Sequence, residues 1–268
     1  SGAYTQIVVA ASAPALYYYC TNHSGMGGAI NTNSTLGSSN FDGTIQVTSK
    51  VNATAGFSIL TYPGTGSAGT IGHGLGVAPQ AIITKRKSGG TEDWKVYHQN
   101  ITGGYFLKLN ETQVQTSNSD VYPNTAPTST VYSLGNHASV NASGSTYVAY
   151  VFSEVAGYSK FGSYKGNGDS ENGAFVFTNH RPAWIMFKNM DTTTWWFIYD
   201  VKRETFNVMN TPLAANVNDT EYSDSHYEID ILSNGFKIRG QQPEINKSGD
   251  TIVYFSFAES PFKNARAR

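Results

Sequence analysis

The sequence predicts an all-β protein with two tandem, related β-sandwich-like units that follow a short N-terminal β segment. Three observations support this prediction. The chain is rich in turn-forming glycine, with 27 residues, and in the strand-favouring residue tyrosine, with 17. Its apolar residues fall in short runs, several with a period of two. A set of motifs also occurs twice, in the same order, between residues 56 and 268.

The charge balance excludes two classes of partner. Lysine and arginine together number 18, aspartate and glutamate 19, and the formal net charge is −1. This balance gives no electrostatic reason to expect nucleic acid or an anionic membrane surface as a partner. No apolar run approaches the roughly 20 residues that span a bilayer, so no membrane insertion is expected. The single cysteine excludes an internal disulfide.

The repeat is defined by the spacing of its motifs. Trp94 and Trp196 each open the pattern Trp-X-X-Tyr, and they stand 102 residues apart. Near the ends of the two copies stand VNASGSTYVAYVFSEV and INKSGDTIVYFSFAES. We therefore predict a first unit over residues 56–157 and a second over residues 158–268.

Each unit contains short runs with the composition and period of strands. The runs QAIITKR and AWIMFKN closely follow a proline and are rich in β-branched or aromatic residues. The runs STYVAYVF and DTIVYFSF are longer and alternate, and each follows an Asn-X-Ser-Gly turn signal. Many short strands at this spacing favour the layers of a β-sandwich.

Two different segments precede the repeat. Residues 31–55 are small and polar, and predict a connector with one short strand. Residues 1–30 contain Cys20, His23 and Met26, and the pattern Cys-X-X-His-X-X-Met resembles the copper-ligand loop of short-loop cupredoxins. The resemblance implies that residues 1–30 are the C-terminal remnant of a cupredoxin-like domain.

The copper site that this resemblance implies is incomplete in the sequence. A site of this type needs a second histidine from an earlier strand, and no histidine precedes Cys20. We therefore expect no cofactor, and copper only if a histidine from upstream of this sequence completes the site. A blue copper electron-transfer protein is the alternative that this motif leaves open.

The repeated part of the chain resembles a domain of unknown function that recurs in proteins of tailed bacteriophages. The resemblance covers roughly residues 56–268 and rests on separated motifs in the same order: GTIGHGLGVAPQAIITKRKSG, NASGSTYVAYVFSEVAGYSKFGSYKGNG, RPAWIMFKNMD and the closing FAESPFKNARAR. It implies a virion component such as a tail fibre, spike or other surface appendage. It carries over no catalytic residue.

Aromatic residues supply the candidate binding positions. We expect Trp94 and Trp196 to pack in the core because they recur in both units. Trp195 has no counterpart, and adjacent residues of a strand face opposite sides of the sheet, so Trp195 is expected to face outward. Exposed aromatic rings stack on sugars or pack against partner subunits. The same role is expected of four tyrosines that we predict in loops: Tyr62, Tyr164, Tyr222 and Tyr227.

No catalytic motif accompanies the acidic residues. Candidates for polysaccharide cleavage are Glu92, Asp93, Asp200, Glu204, Glu228 and Asp230. A glycosidase needs two carboxylates that flank one bond, and nothing in the sequence pairs these residues. We therefore expect a protein that is not an enzyme.

The sequence thus favours a non-catalytic bacteriophage tail-fibre or virion surface component that attaches to the host. Its expected partners are other virion proteins and a host cell-surface glycan or receptor. A closed homo-oligomer is expected, with a trimer as the first expectation. The expected location is the surface of the extracellular virion. Two alternatives remain: a purely architectural virion protein, and a depolymerase that degrades surface polysaccharide.

Overall fold

The computed structural model describes residues 16–19, 22, 27–30, 37–221 and 223–260. Strands account for 40% and helices for 5%, so the predicted all-β fold is confirmed. Within the described ranges, no helix is long and apolar enough to cross a membrane. The first two strands, β1 (Leu16–Tyr19) and β2 (Gly27–Ile30), pair with each other in antiparallel fashion.

The first half of the chain forms one large and one small antiparallel sheet. The strands of the large sheet are β3 (Ser38–Asn40), β4 (Val47–Asn52), β5 (Phe57–Pro63), β7 (Ala81–Arg86), β8 (Lys95–His98), β9 (Tyr105–Lys108), β10 (Thr116–Ser117) and β12 (Thr146–Phe152). Their order is β10-β9-β8-β7-β12-β5-β4-β3. The small sheet pairs β6 (Gly69–Gly72) with β11 (Val131–Leu134), and a short helix, α1 (Ala138–Asn141), precedes β12.

The second half forms a five-stranded and a three-stranded antiparallel sheet. The five strands are β13 (Ser159–Lys165), β15 (Pro182–Asn189), β16 (Phe197–Asp200), β17 (Leu213–Ala214) and β20 (Thr251–Ala258). Their order is β13-β20-β15-β16-β17. The three-stranded sheet has the order β14-β19-β18, from β14 (Phe175–Phe177), β18 (Ile229–Leu232) and β19 (Gly235–Ile238). A 3-10 helix (Ser225–Tyr227) precedes β18, and α2 (Pro243–Asn246) precedes β20.

The two halves share one strand order. In the eight-stranded sheet, the strands that follow β5 in one direction are β12, β7, β8 and β9. In the five-stranded sheet, the strands that follow β13 are β20, β15, β16 and β17, so the two series correspond strand by strand. The short helices also match in detail. The Asn141 side chain at the end of α1 donates to Ser67 O and Gly135 O. Asn246 at the end of α2 donates in the same way to Asp169 O and Gly240 O. The repeated motifs therefore coincide with a repeated topology.

The four sheets formed by residues 37–260 stack in four layers with three apolar cores between them. The first core lies between the small sheet and the eight-stranded sheet, and the third lies between the five-stranded and three-stranded sheets. The middle core joins the two large sheets, and includes Val96 and Leu107 from one with Phe161 and Phe255 from the other. Alternate residues of one strand therefore enter different cores, so both faces of much of each large sheet are buried.

Residues 37–52, which we call the 37–52 segment, belong to the predicted connector of residues 31–55 but are part of the sandwich. The segment contributes both β3 and β4 to the large sheet. Ile45, between the two strands, and Val47, the first residue of β4, are 4% and 2% exposed and lie in the first core. The backbone N–H groups of Thr44 and Ile45 donate to Thr70 O at 3.1 and 3.0 Å, which ties the segment to the edge of β6. The segment thus closes one side of the first half.

Candidate functional site

The structure places three of the four candidate tyrosines in the interior. Tyr62 lies in β5 and is 2% exposed, and its Oη donates to Val140 O at 2.9 Å. Tyr164 lies in β13, is partly buried, and donates to Ile245 O at 2.7 Å. Tyr227 is 8% exposed and its ring packs edge-on against Phe197. The prediction that these three lie in exposed loops was wrong. Tyr222 lies outside the described residues.

Tyr62 and Tyr164 occupy equivalent positions and hold the two short helices to the sheets. Burial raises the pKa of each phenol well above its usual value, so both remain protonated donors. Their role in the described structure is therefore to satisfy a helix carbonyl and fill a core.

Replacing Tyr62 or Tyr164 by phenylalanine should lower the free energy of unfolding by about 1–2 kcal/mol, because a helix carbonyl loses its donor while the ring still fills its site. Denaturant unfolding followed by tryptophan fluorescence measures the change. Ligand binding by the folded variants should be unchanged. A variant that is as stable as the wild type but no longer binds its ligand would contradict a structural role. It would support the expectation from the sequence that Tyr62 and Tyr164 bind the ligand directly.

Trp195 is not the free outward ring that the sequence predicts. The alternation itself is correct, since Trp196 is 0% exposed in the middle core and Trp195 faces the other side of the sheet. That other side is a further core rather than solvent. Trp195 is partly buried there, with its ring edge-on to Phe197 at 6.0 Å between centroids.

The copper-type motif lies outside the residues that the structure describes. Cys20, His23 and Met26 are all outside the described ranges. Among the described residues, no group of three or more histidine, cysteine, aspartate or glutamate side chains is placed to hold a metal ion. The incomplete copper site therefore stays a prediction.

Two of the carboxylates considered for polysaccharide cleavage are engaged in structural contacts, and a Ser-His pair that the structure brings together is buried. Asp230 pairs with Arg239 at 2.7 Å, and the Glu204 carboxylate accepts from the backbone N–H groups of Asn210 and Thr211. His180 Nε2 lies 2.9 Å from Ser256 Oγ, but both residues are 0% exposed. Because both side chains are buried, a substrate cannot reach this Ser-His pair.

The described structure instead exposes a row of aromatic rings that the sequence did not predict. Trp94, Tyr150 and Phe57 are each partly exposed. The Trp94 and Tyr150 rings are 6.3 Å apart and inclined by 25°, and the Tyr150 and Phe57 rings are 6.5 Å apart and inclined by 6°. The rings are therefore nearly parallel. We call these three residues the aromatic row.

The aromatic row lies on the face of the eight-stranded sheet that also forms the middle core. Tyr150 alternates along β12 with Ala149 and Val151, which point into the first core on the opposite face. Farther along the same face, Phe152 packs against the middle core, but Ile59 beside the row is 36% exposed. The five-stranded sheet therefore covers only part of this face, and the row stands on the part left open.

A groove of about 620 Å³ adjoins the row at Trp94. We call it the amide groove because three of its lining residues are asparagines; the lining residues are Trp94, Leu109, Asn110, Ala215, Asn216, Val217 and Asn218. They come from both halves of the chain. Each half uses an asparagine in the same way: Asn110 Oδ1 accepts from the backbone N–H of Trp94, and Asn216 Oδ1 accepts from that of Trp196, both at 2.9 Å.

One donor in the wall of the amide groove is unsatisfied. The Nδ2 group of Asn216 is buried and has no hydrogen-bond partner among the described residues. The corresponding Nδ2 of Asn110 donates to Asp93 at 3.0 Å. A buried amide donor without a partner costs free energy, so the Asn216 side chain is less well satisfied than that of Asn110.

Asp93 is held as an ionised carboxylate beside the groove at neutral pH. Burial acts to raise its pKa, but hydrogen bonds from Asn110 and Lys108, together with the charges of Lys95 and Lys108, outweigh it. The pKa of Asp93 therefore lies well below its usual range. Its carboxylate is 2.9 Å from Lys108 Nζ and 3.3 Å from Lys95 Nζ, which neutralises its charge locally. The carboxylate therefore positions Asn110 and is not suited to act as a general acid at neutral pH.

The comparisons with known proteins identify one family. A family model described as a domain of unknown function, DUF7483, matches residues 30–261. No curated protein and no solved structure matches the chain. The matched range begins before β3 and ends after β20, so it includes the 37–52 segment together with both halves of the repeat. The chain therefore belongs to the DUF7483 family.

Proposed function

We propose that this protein is a non-catalytic component of a bacteriophage virion surface, such as a tail fibre, and that it attaches to a host-cell glycan. The glycan would lie on the aromatic row and reach into the amide groove. The virion assignment is supported by the resemblance of the repeated motifs to tailed-phage proteins. The binding assignment is supported by the geometry around Trp94.

The observation that carries the proposal is the position of Trp94. Its ring is partly exposed, stands at one end of the aromatic row, and lines the amide groove. Sugar rings present apolar C–H faces that stack on aromatic side chains, and hydroxyl groups that pair with amides. A row of rings next to an asparagine-lined groove offers both kinds of contact in one place.

The charge of the protein favours a neutral glycan. The net charge is −1, and Asp93 beside the groove is neutralised by two lysines. Recognition would then depend on stacking and hydrogen bonds, with little dependence on salt.

The test is binding of the purified chain to an array of bacterial surface polysaccharides and lipopolysaccharide oligosaccharides, with calorimetry on any glycan that binds. Trp94→Ala and Tyr150→Ala should each weaken binding about tenfold or more, as truncation of a central aromatic contact does. Trp195→Ala is the matched control, since Trp195 is also a partly buried tryptophan but packs on the third core. Its binding should be unchanged.

Three outcomes would contradict the proposal. Saturable binding that survives the Trp94→Ala, Tyr150→Ala double variant would place the site elsewhere. Binding to no glycan and to no host cell would favour a purely architectural role. Reducing ends released from a bound polysaccharide would show a depolymerase and overturn the non-catalytic assignment.

A further inference from the structure

The internal repeat allows the edges of the two small sheets to be compared residue by residue. Strands β6 and β14 occupy the same place in the two halves, with Ile71 and Val176 as their inward residues. Ile71 pairs with Tyr132 of β11, and Val176 pairs with Phe236 of β19. The outward neighbours therefore correspond as well. Thr70 and Gly72 in the first half match Phe175 and Phe177 in the second.

In the first half the chain covers this edge itself. Thr70 O accepts from the backbone N–H groups of Thr44 and Ile45, and Thr70 N donates to Thr44 Oγ1 at 2.9 Å. A Cβ atom at Gly72 would lie 2.5 Å from the backbone oxygen of Asp42, so no side chain fits there. The edge of β6 is thus paired with the 37–52 segment and closed.

In the second half the matching edge is open. Ile238 N donates to Ala174 O at 2.9 Å, and Thr178 N donates to Asn234 O at 3.0 Å, so residues 174, 176 and 178 face β19. The backbone groups of the alternate residues, Phe175 and Phe177, therefore point away from the sheet. No described segment pairs with them.

The other edge of the same three-stranded sheet is occupied. The Asn207 side chain exchanges hydrogen bonds with Ile231, donating to its O at 2.9 Å and accepting from its N–H at 2.8 Å. Met209 and Ile229 exchange two backbone hydrogen bonds at 2.9 Å. Within the part of the chain that the structure describes, β14 is therefore the edge of this sheet that remains open.

The open edge is apolar and, although short, lacks the charged residues and prolines that often oppose strand pairing. The Phe175 and Phe177 side chains are 50% and 56% exposed. Residues 172–179, NGAFVFTN, include no charge and no proline. Exposed edge strands are normally blunted by lysine, proline or a bulge, because their free N–H and C=O groups invite another strand. The covered edge has the small residues Thr70 and Gly72 at these positions, whereas the open edge has Phe175 and Phe177.

We propose that β14 pairs in antiparallel fashion with β14 of a second copy of this chain. The strand is self-complementary about Val176. With Val176 opposite Val176 of the second copy, Phe175 faces Phe177 of that copy, and their outward N–H and C=O groups form four hydrogen bonds. Two cross-strand phenylalanine pairs then form on one face. The two three-stranded sheets become one six-stranded sheet about a two-fold axis.

This pairing gives an assembly built from dimers, in place of the trimer that we first expected. It involves a short strand, so the contact area is small and the dimer should dissociate on dilution. The proposal does not depend on glycan binding, because β14 and the aromatic row belong to different sheets.

The test is the mass of the full chain across a concentration series, by sedimentation or by light scattering after gel filtration. We expect twice the monomer mass at high concentration and the monomer mass after dilution. The double variant Phe175→Lys, Phe177→Lys should stay monomeric at every concentration, because it places lysines opposite each other. Phe206→Lys is the control, since Phe206 is 83% exposed and is not part of β14, and it should still dimerise.

A cross-link tests the register independently. In a Cys20→Ser background, Val176→Cys should form a covalent dimer on mild oxidation, because the two residues 176 lie directly opposite each other. Phe175→Cys should cross-link far more slowly, since its neighbour across the interface is residue 177. A monomer at all concentrations, a trimer, or a dimer unaffected by the lysine variant would each overturn the proposal.

Discussion

Replacing Trp196 by alanine is expected to lower the free energy of unfolding by about 3–5 kcal/mol, the range for deleting a large buried aromatic side chain. Trp196 is 0% exposed in the middle core, near the ring of Phe255. Its Nε1–H donates to Lys108 O at 2.8 Å, across the boundary between the two halves. The variant therefore loses packing and leaves a carbonyl without its donor. Denaturant unfolding with circular dichroism measures the change.

The internal repeat supplies the matched control for this variant. Trp94→Ala changes the same position of the first half, where the ring is partly exposed, so its effect on stability should be much smaller. The middle core also predicts that the two halves unfold together, because each covers apolar surface of the other. Two separate unfolding transitions in the wild-type chain, with Trp196→Ala shifting only one of them, would contradict that view.

Acidification from pH 7 to pH 4 is expected to remove about 3 kcal/mol of stability through His98 alone. His98 is 0% exposed between the two large sheets, and burial lowers its pKa to about 4. The neutral ring suits its site. With the proton on Nε2 it donates to Tyr254 O at 3.4 Å, while Nδ1 accepts from the Asn100 N–H at 3.2 Å.

The loss of stability on acidification follows from the lowered pKa of His98. Between about pH 6.5 and pH 4 the unfolded chain binds a proton that folded His98 does not bind. The stabilisation is therefore complete above pH 6.5 and is lost as the pH falls toward 4. His73 is also buried with a lowered pKa, and acts in the same direction.

The measurement is the free energy of unfolding by urea at several pH values. His98→Gln should flatten the dependence between pH 6.5 and pH 4, because glutamine does not titrate. His226→Gln, at a histidine whose side chain is 49% exposed, is the comparison variant. An equally steep slope in His98→Gln would show that other groups cause the acid sensitivity.

Much of the fold was predictable from local patterns. The alternating runs STYVAYVF and DTIVYFSF correspond to β12 and β20, and the short runs that follow a proline correspond to β7 and β15. The equal spacing of Trp94 and Trp196 indicated a repeat, and the two halves do share a strand order. These features depend on neighbours in sequence and on period-two burial, which a single sequence contains.

The candidate site was less predictable, because exposure depends on what covers each face of a sheet. Alternation correctly placed Trp195 opposite Trp196, but it could not show that a third core lies on the far side. It also could not distinguish Trp94 from Trp196, which share a motif and differ in exposure through the way the two large sheets overlap. Tyr62 resembles a loop residue next to the proline and glycines that follow it, yet it points inward from β5.

The 37–52 segment has a second consequence for the surface of the protein. By adding β3 and β4, it helps to widen the first large sheet to eight strands, while the sheet that packs on it has five. At about 4.8 Å per strand, the difference amounts to roughly 14 Å of sheet width without a facing strand. A segment that pairs with the edge of β6 thereby also helps to leave a strip of this sheet face without a facing sheet, and the aromatic row lies on the uncovered part.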